Sequence, residues 1–339
     1  MRANEPGRSP RPLSPFRKPL TRAGFFIPAA FLLVFLVIIP VVSTISLSFF
    51  SSSGAFVGLD NYGTILSSPE TIDLRDTRIP YGTLVNNLLW TVIHLPMSMF
   101  TGLFLALLLQ KVRGASVVKS FIFLGMVTPM IVGGIILRFL FDEKSGVVPR
   151  FFGLVGLKGL AIQWMQFPST LLFGLIFGSV WLWTGFSFIV YSAGLTTIPK
   201  DYFEAAQIDG ASPWRTFRRI TWPLLKPMTI VVITLTVLWE LKLFDVVFAA
   251  TNTQGGVSSA ADVLALQMFR YGFASIPPSY NMAATVATIL TLLTLLSSAW
   301  LFRRMVMGDK RLAKSGLFTG LVPRLLRPIR KALHRRSGA

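Results

Sequence analysis

Six apolar runs, each long enough to cross a lipid bilayer, remove most folds from consideration for this chain. The first is GFFIPAAFLLVFLVIIPVVSTISLSFF, Gly24 to Phe50. At ~1.5 Å rise per residue a helix of that length reaches ~40 Å, against a hydrocarbon core of ~30 Å. A secretory signal would have an apolar core of about 7–15 residues closed by a small-residue cleavage site. This run is longer and lacks that ending, so it reads as a retained span. Further runs cover 84–110, 120–141, 169–194, 224–250 and 281–302. In lipid a chain satisfies its backbone polar groups only as helices or as a closed barrel. A barrel would show short segments of alternating hydropathy, and these runs are continuous. The expectation is an all-α integral membrane protein with six transmembrane helices. The charged fraction agrees: it is 14%, where a soluble domain carries about 25%.

The basic residues set an orientation. With both termini on one side, 25 of the 33 Lys and Arg fall on that side and six on the other. Arg138 and Lys242 lie in or near spans. By the positive-inside rule both termini are cytoplasmic. The +19 net charge therefore reads as a topology signal, and no nucleic-acid partner is expected. The chain has no cysteine and only two histidines, His94 and His334. Disulfides and zinc–thiolate sites are excluded, and no metal is expected.

The organisation that follows is a basic tail at 1–23, a transmembrane domain at 24–308 and a second basic tail at 309–339. In the last tail Phe318, Val322, Leu325, Ile329 and Leu333 share a helical stripe with Arg and Lys between them. That suits a segment lying on anionic headgroups, yet Pro323 and Pro328 would interrupt it. A disordered basic tail is the other reading. Between the third and fourth spans, 143–168 carries Phe151, Phe152 and Trp164, which suit a membrane interface.

One cytoplasmic loop is unusual: DYFEAAQIDGASPWRTFRRITWPLLKP, Asp201 to Pro227. Pro199 with Asp201 and Glu204 makes a helix opening that complements the helix dipole. Tyr202 to Ile208 supplies two turns, and Gly210 permits a turn that a β-carbon would oppose. Ser212 can cap a second helix with Pro213 just behind it. Phe217 and Ile220 give that helix an apolar face, while Arg215, Arg218 and Arg219 stay wet. Pro223 and Pro227 mark re-entry into the membrane. From the residues alone two readings stand: a plain interfacial connector, or a short helix that lies in a groove of another protein.

The order Glu204-Ala205-Ala206, Asp209-Gly210-Ala211, then Phe217, Ile220, Pro223 and Pro227 resembles the EAA loop of the membrane-spanning permease subunits of ATP-binding-cassette (ABC) importers. Likeness to the carbohydrate-type permeases covers roughly 84–300, through TGLFLALLLQ, FIFLGMVTPMIVGG, AGLTTIPKDYFEAA and LKLFDVVFAATNTQGG. The span from Gly24 and the GLDNYGTIL that follows also look like the first permease of such pairs. The resemblance implies a permease core at 84–303 with the EAA loop at 200–223. That loop would be a cytoplasmic coupling helix between the fourth and fifth spans, docked on a separate ATPase. The chain has no G-x-x-x-x-G-K-[ST] stretch to cradle ATP phosphates, so ATP and Mg belong to the partner ATPase, and no cofactor is expected here. The implied partners are a second permease subunit, the ATPase pair and an extracytoplasmic sugar-binding protein, in a prokaryotic cytoplasmic membrane. Arg138, where many relatives carry Trp, TNTQGG in place of a T-x-GGP ending, and a long tail are departures from that pattern.

A sugar cargo asks for aromatic faces and polar groups. The fourth and fifth spans supply Trp181, Trp183, Thr184, Phe186 and Ser187, then Trp239, Glu240, Lys242, Phe244 and Asp245. Ionisable residues inside a span are functional candidates by default. Trp183, Phe186, Trp239, Glu240, Phe244 and Asp245 are the substrate-pathway candidates, with Glu240 foremost for a polar contact and Asn252 weaker. Aromatic residues in spans more often pack or anchor. Lys242 and Asp245, three apart on one helix, would neutralise each other. Gly174 and Gly178 read as helix packing, and His94 as satisfying a local hydrogen bond. LKLFDVVFAATN resembles α-glucoside-type permeases, which makes an α-linked glucose oligosaccharide the first cargo to test. A glycerol phosphate cargo would prefer a cationic site, and Lys242 is the only Lys or Arg well inside a span. A channel or structural subunit would not need the loop, and an enzyme has no catalytic constellation to use.

Overall fold

Proline and hydrogen-bonded asparagine, rather than the length of the apolar runs, decide where the helices break. The computed structural model describes residues 19–73, 81–110, 112, 114–142 and 146–314. Both basic tails beyond those limits, the amphipathic stripe from Phe318 to Leu333 included, lie outside the described residues. Helix α1 runs from Pro19 through a π-helical turn at Val34–Ile38 to Leu47. The turn directly precedes Pro40, whose missing N–H breaks the i→i−4 ladder. Then follow α2 (Asp60–Ser67), α3 (Thr83–Leu108), α4 (Ala115–Val127), α5 (Met130–Leu140), α6 (Val147–Leu154) and α7 (Pro168–Thr196). The rest are α8 (Lys200–Ile208), α9 (Pro213–Leu224), α10 (Lys226–Leu241), α11 (Asp245–Thr251), α12 (Leu264–Phe269) and α13 (Tyr280–Lys314). Among the described residues there is no strand, only an isolated bridge between Phe50 and Phe56.

Among the described residues four helices are long and apolar enough to cross a membrane: Phe26–Leu47, α3, α7 and Tyr280–Arg303. The number rises to six if the bent pairs α4–α5 and α9–α10 each count as one span. Two of the expected continuous spans are therefore corrected. The run at 120–141 bends by 108° between α4 and α5. Thr128 there is extended (φ −64°, ψ 124°), because the ring of Pro129 disfavours the helical region for the residue before it. The run at 224–250 begins after a 63° bend at Leu225 and stops at Leu241. Lys242–Phe244 is not helical, and Phe244 sits at φ −139°, ψ −59° as α11 begins.

Helix α7 is the hub, with Leu171, Leu172, Leu175 and Ile176 at most 1% exposed. Around it stand α3, α4, α5 and α10. Lipid tails are as apolar as leucine, so these contacts rely on close fit rather than on the hydrophobic effect. A β-carbon on Gly102 of α3 would stand 2.4 Å from the Ser187 β-carbon of α7, and one on Gly134 of α5 would stand 2.5 Å from the Val246 carbonyl oxygen of α11. Gly178 does pack as its spacing suggested, 2.6 Å from Leu137 by the same measure, while Gly174 has more room against Trp164. Helix α6 leaves Val147, Phe151 and Leu154 exposed and stacks Phe152 on Trp164 with centroids 6.2 Å apart.

Residues 252–263 form an irregular segment in which Ala260, Ala261 and Val263 are fully buried. Non-helical backbone at depth is tolerated only where protein groups satisfy it, and α3 does so. Asn86 Nδ2 donates to the Ala260 and Asp262 carbonyls at 3.2 and 2.8 Å, and Asn87 Oδ1 accepts from Leu264 N at 2.9 Å. Asp262 pairs with Arg270 at 2.7 Å, and Arg270 reaches Glu70 at 3.5 Å.

Gly134→Val drives a side chain into the α5–α11 contact and is expected to cost about 1–3 kcal/mol, read as a lower thermal midpoint in detergent. Burial pushes the Asp262 carboxyl up from 3.8 to about 6, against the opposing pull of Arg270. The folded chain thus holds this proton more tightly than the unfolded chain does. The contribution is fully present below 3.8, is lost as pH rises to about 6, and stays level above that. Asp262→Asn is expected to flatten stability against pH across that window, measured by thermal unfolding at stepped pH.

Candidate functional site

The loop at 200–223 folds as a helix–turn–helix whose turn is closed by its own backbone. Pro199 caps α8 (φ −58°, ψ 138°) and Asp201 occupies the first turn, where a carboxylate complements the helix dipole. At the other end Gly210 has φ +66°, the left-handed value that favours glycine. Gly210 N donates to the Gln207 carbonyl at 3.1 Å and Ala211 N to the Ala206 carbonyl at 2.9 Å. Those two bonds are a Schellman cap, so the Asp209-Gly210-Ala211 sequence is explained by how the helix stops. Ser212 Oγ accepts from Arg215 N at 3.4 Å and opens α9. Phe203 and Ala206 face the bundle, whereas Glu204, Ala205, Asp209 and Gly210 are exposed. Ile208 is 87% exposed, and Trp214 is 68% exposed, stacked on Phe217 with centroids 5.5 Å apart. Arg215, Arg218 and Arg219 are exposed, and Phe217 and Ile220 are half-buried. Helix α9 passes through a π-helical stretch at Phe217–Thr221, just before Pro223, and meets α10 at the fully buried Leu225.

The substrate-pathway candidates divide into two groups. Trp183 and Phe186 on α7 meet Trp239 at the end of α10, with centroids 5.7 and 5.2 Å apart. Trp239 is 43% exposed, Phe186 half-buried and Trp183 buried. Behind this aromatic wall Glu240 is fully buried, its Oε1 2.6 Å from His94 Nδ1. His94 also meets Trp183 edge-on at 5.5 Å. Phe244 belongs elsewhere: it stacks on Phe248 at 5.1 Å and leans on Phe269 at 5.3 Å. Asp245 is exposed in the first turn of α11.

Two expectations are overturned here. No ion pair joins Lys242 to Asp245 among the described residues, because the helix ends at Leu241 and i,i+3 spacing no longer places them on one face. The His94 hydrogen bond is not local: its partner lies 146 residues away. The sequence reading also passed over Asn86 and Asn87, whose signal was two adjacent amides inside an apolar run. Asn87 Nδ2 donates to the Glu240 carbonyl at 3.0 Å, so α3 holds both the backbone and the side chain of Glu240.

Arg138 is exposed at the end of α5. It lines a cavity of about 230 Å³ with Asp142, Gln163, Gln166 and Asn252, and Asn252 adopts φ +65°. Among the described residues no cluster of three or more His, Asp or Glu is placed to hold a metal.

Removing one partner of a buried hydrogen bond leaves the other unsatisfied and costs about 1–3 kcal/mol. Glu240→Ala is therefore expected to lower the thermal midpoint in detergent far more than Glu240→Gln, which keeps a hydrogen-bonding group against His94.

With this geometry in hand, comparison with known proteins is informative. The sequence model of the family described as binding-protein-dependent transport system inner membrane component matches residues 98–307. A Pyrococcus horikoshii protein named "probable ABC transporter permease protein" is 52% identical over 293 residues, covering 85% of this chain and 99% of that one. The alpha-glucoside transport system permease protein of Rhizobium meliloti is 32% identical, covering 73% of each chain. Among solved structures, a chain of a bacterial ABC transporter involved in the import of the acidic polysaccharide alginate superposes with a TM-score of 0.69 at 20% identity, covering 85% of this chain and 96% of that one.

Proposed function

Because this chain belongs to the family of inner membrane components of binding-protein-dependent transport systems, we propose that it is the permease subunit of an ABC importer that moves a sugar or oligosaccharide inward. An α-linked glucoside is the first cargo to test, on the strength of the α-glucoside permease relative and the LKLFDVVFAATN stretch. The observation that carries the transport reading is the exposed α8–α9 unit. It is closed by its own Schellman turn, presents Ile208 and Trp214 to solvent, and runs through the buried Leu225 into α10. Exposed apolar side chains on a rigid polar loop suit a groove in another protein.

In this reading both termini and α8–α9 are cytoplasmic, and Glu204, Ala205, Ala206, Asp209, Gly210 and Ala211 form the docking surface and its turn. The partner there is a cytoplasmic ATPase pair that carries ATP and Mg. A second permease subunit and an extracytoplasmic sugar-binding protein complete the importer. Phe186 and Trp239 offer ring faces to the sugar's C–H surface, with Trp183 and Glu240 supporting them from behind. Phe244 and Asp245 stand further toward the outer side, where α11 begins.

The test uses the assembled complex in proteoliposomes with candidate sugars. Glu204→Ala and Gly210→Pro are expected to leave assembly intact while uptake and substrate-stimulated ATP hydrolysis fall at least tenfold. Unchanged uptake and hydrolysis in both variants would make the loop a connector and remove the main support for this reading.

A further inference from the structure

Behind the aromatic wall, side chains from three helices form two polar layers that protein groups alone do not satisfy. Helices α3 and α7 run the same way, since His94 meets Trp183 and, further along both, Gly102 meets Ser187. Helix α10 runs against them. Trp239 meets Trp183, while Thr229 accepts a hydrogen bond from Tyr191 at 3.2 Å further along α7. One layer is His94, Trp183 and Glu240. With about 3.6 residues per turn, Ser187 and Thr236 lie one turn closer to α8, where Ser187 abuts Gly102 of α3. All five side chains are at most 6% exposed.

Within these layers His94 Nε2, Trp183 Nε1, Ser187 Oγ, Thr236 Oγ1 and Glu240 Oε2 are buried without a protein hydrogen-bond partner. One stray polar atom would be unremarked, but five on three packed helices, within about one helical turn of one another, are not an accident of packing. Buried polar groups are satisfied by protein or by ordered water, and leaving them bare costs free energy in a low-dielectric interior. The chemistry of the set restricts the occupant. The indole N–H can only donate, the carboxyl oxygen offers an acceptor, and the two hydroxyls do either. An apolar ligand satisfies none of them, and the indole donor is wasted on a cation. A small molecule that both donates and accepts fits all five.

We propose that this is a built water site. Ordered water bridges Glu240 and Thr236 of α10 to His94 of α3 and to Trp183 and Ser187 of α7. It joins the helix that starts where the α8–α9 loop ends to the two helices beside it, through contacts that can break and re-form without tearing apart an apolar surface. The inference stands on the orphaned atoms and not on the transport reading.

The sign of a stability change tests it. Ser187→Ala and Thr236→Val each delete one polar atom with little change of shape. If water bridges these atoms, each variant lowers the thermal midpoint of the purified full-length chain in detergent, and the double variant lowers it by less than the sum, because the two share a network. If the atoms are bare, deleting them leaves the midpoint unchanged or raises it, which overturns the proposal. A second readout is hydroxyl-radical footprinting, which labels side chains beside bound water. Trp183 is expected to be labelled despite its burial and to lose that labelling in Thr236→Val. Absence of labelling in the unaltered chain would also overturn the proposal.

Discussion

Every backbone polar group that this chain takes away from water has to find a partner, and the rest of the structure follows from that. Helices meet the requirement along most of the backbone. Where they stop, specific side chains take over. Asn86 and Asn87 hold the carbonyls and the amide of 260–264, and Asn87 also holds the carbonyl of Glu240, next to the place where α10 ends. Gln267 is satisfied from two directions, by Thr83 at 2.6 Å and Thr71 at 3.0 Å. The irregular segment can lie buried because α3 brings its amides to it.

The same constraint explains why the chemistry of this protein is sparse and concentrated. An ionisable residue within a span is costly, yet Glu240 is fully buried and placed against His94. Around that pair the aromatic wall grades from buried Trp183 to half-exposed Trp239, while the layers behind it hold the polar atoms. Close fit then fixes the arrangement. At Gly102 and Gly134 a single β-carbon would collide with the neighbouring helix, so both contacts tolerate only hydrogen there.

The α8–α9 loop and the α10 side chains of the polar layers lie on one continuous piece of chain. Leu225, fully buried, is the bend between them, and α10 carries Thr236 and Glu240 along one face, four residues apart. A displacement of the loop would reach those side chains through an unbroken helix of 16 residues. Two elements on one rigid helix provide a physical link.

Much was legible in the sequence because it depends on local chemistry. Apolar length announced the spans, and Gly210 with Ser212 and Pro213 announced a helix, a turn and a second helix, because φ > 0 and N-capping are properties of single residues. The two spans read as continuous were not, although Pro129 and the Pro223–Pro227 pair stood in plain view. Hydropathy measures whether a segment prefers lipid and carries no information about its direction. The sequence by itself determined that the chain lives in a membrane, that it is helical, and that one polar loop is built to be seen from outside. Only the tertiary structure decided that His94 meets Glu240, that Lys242 and Asp245 part company, and that five polar atoms on three helices are buried without a protein partner. The reason is that such pairings depend on how helices far apart in sequence are turned toward each other, and that rotation is set by packing at positions such as Gly102, not by the residues that end up paired.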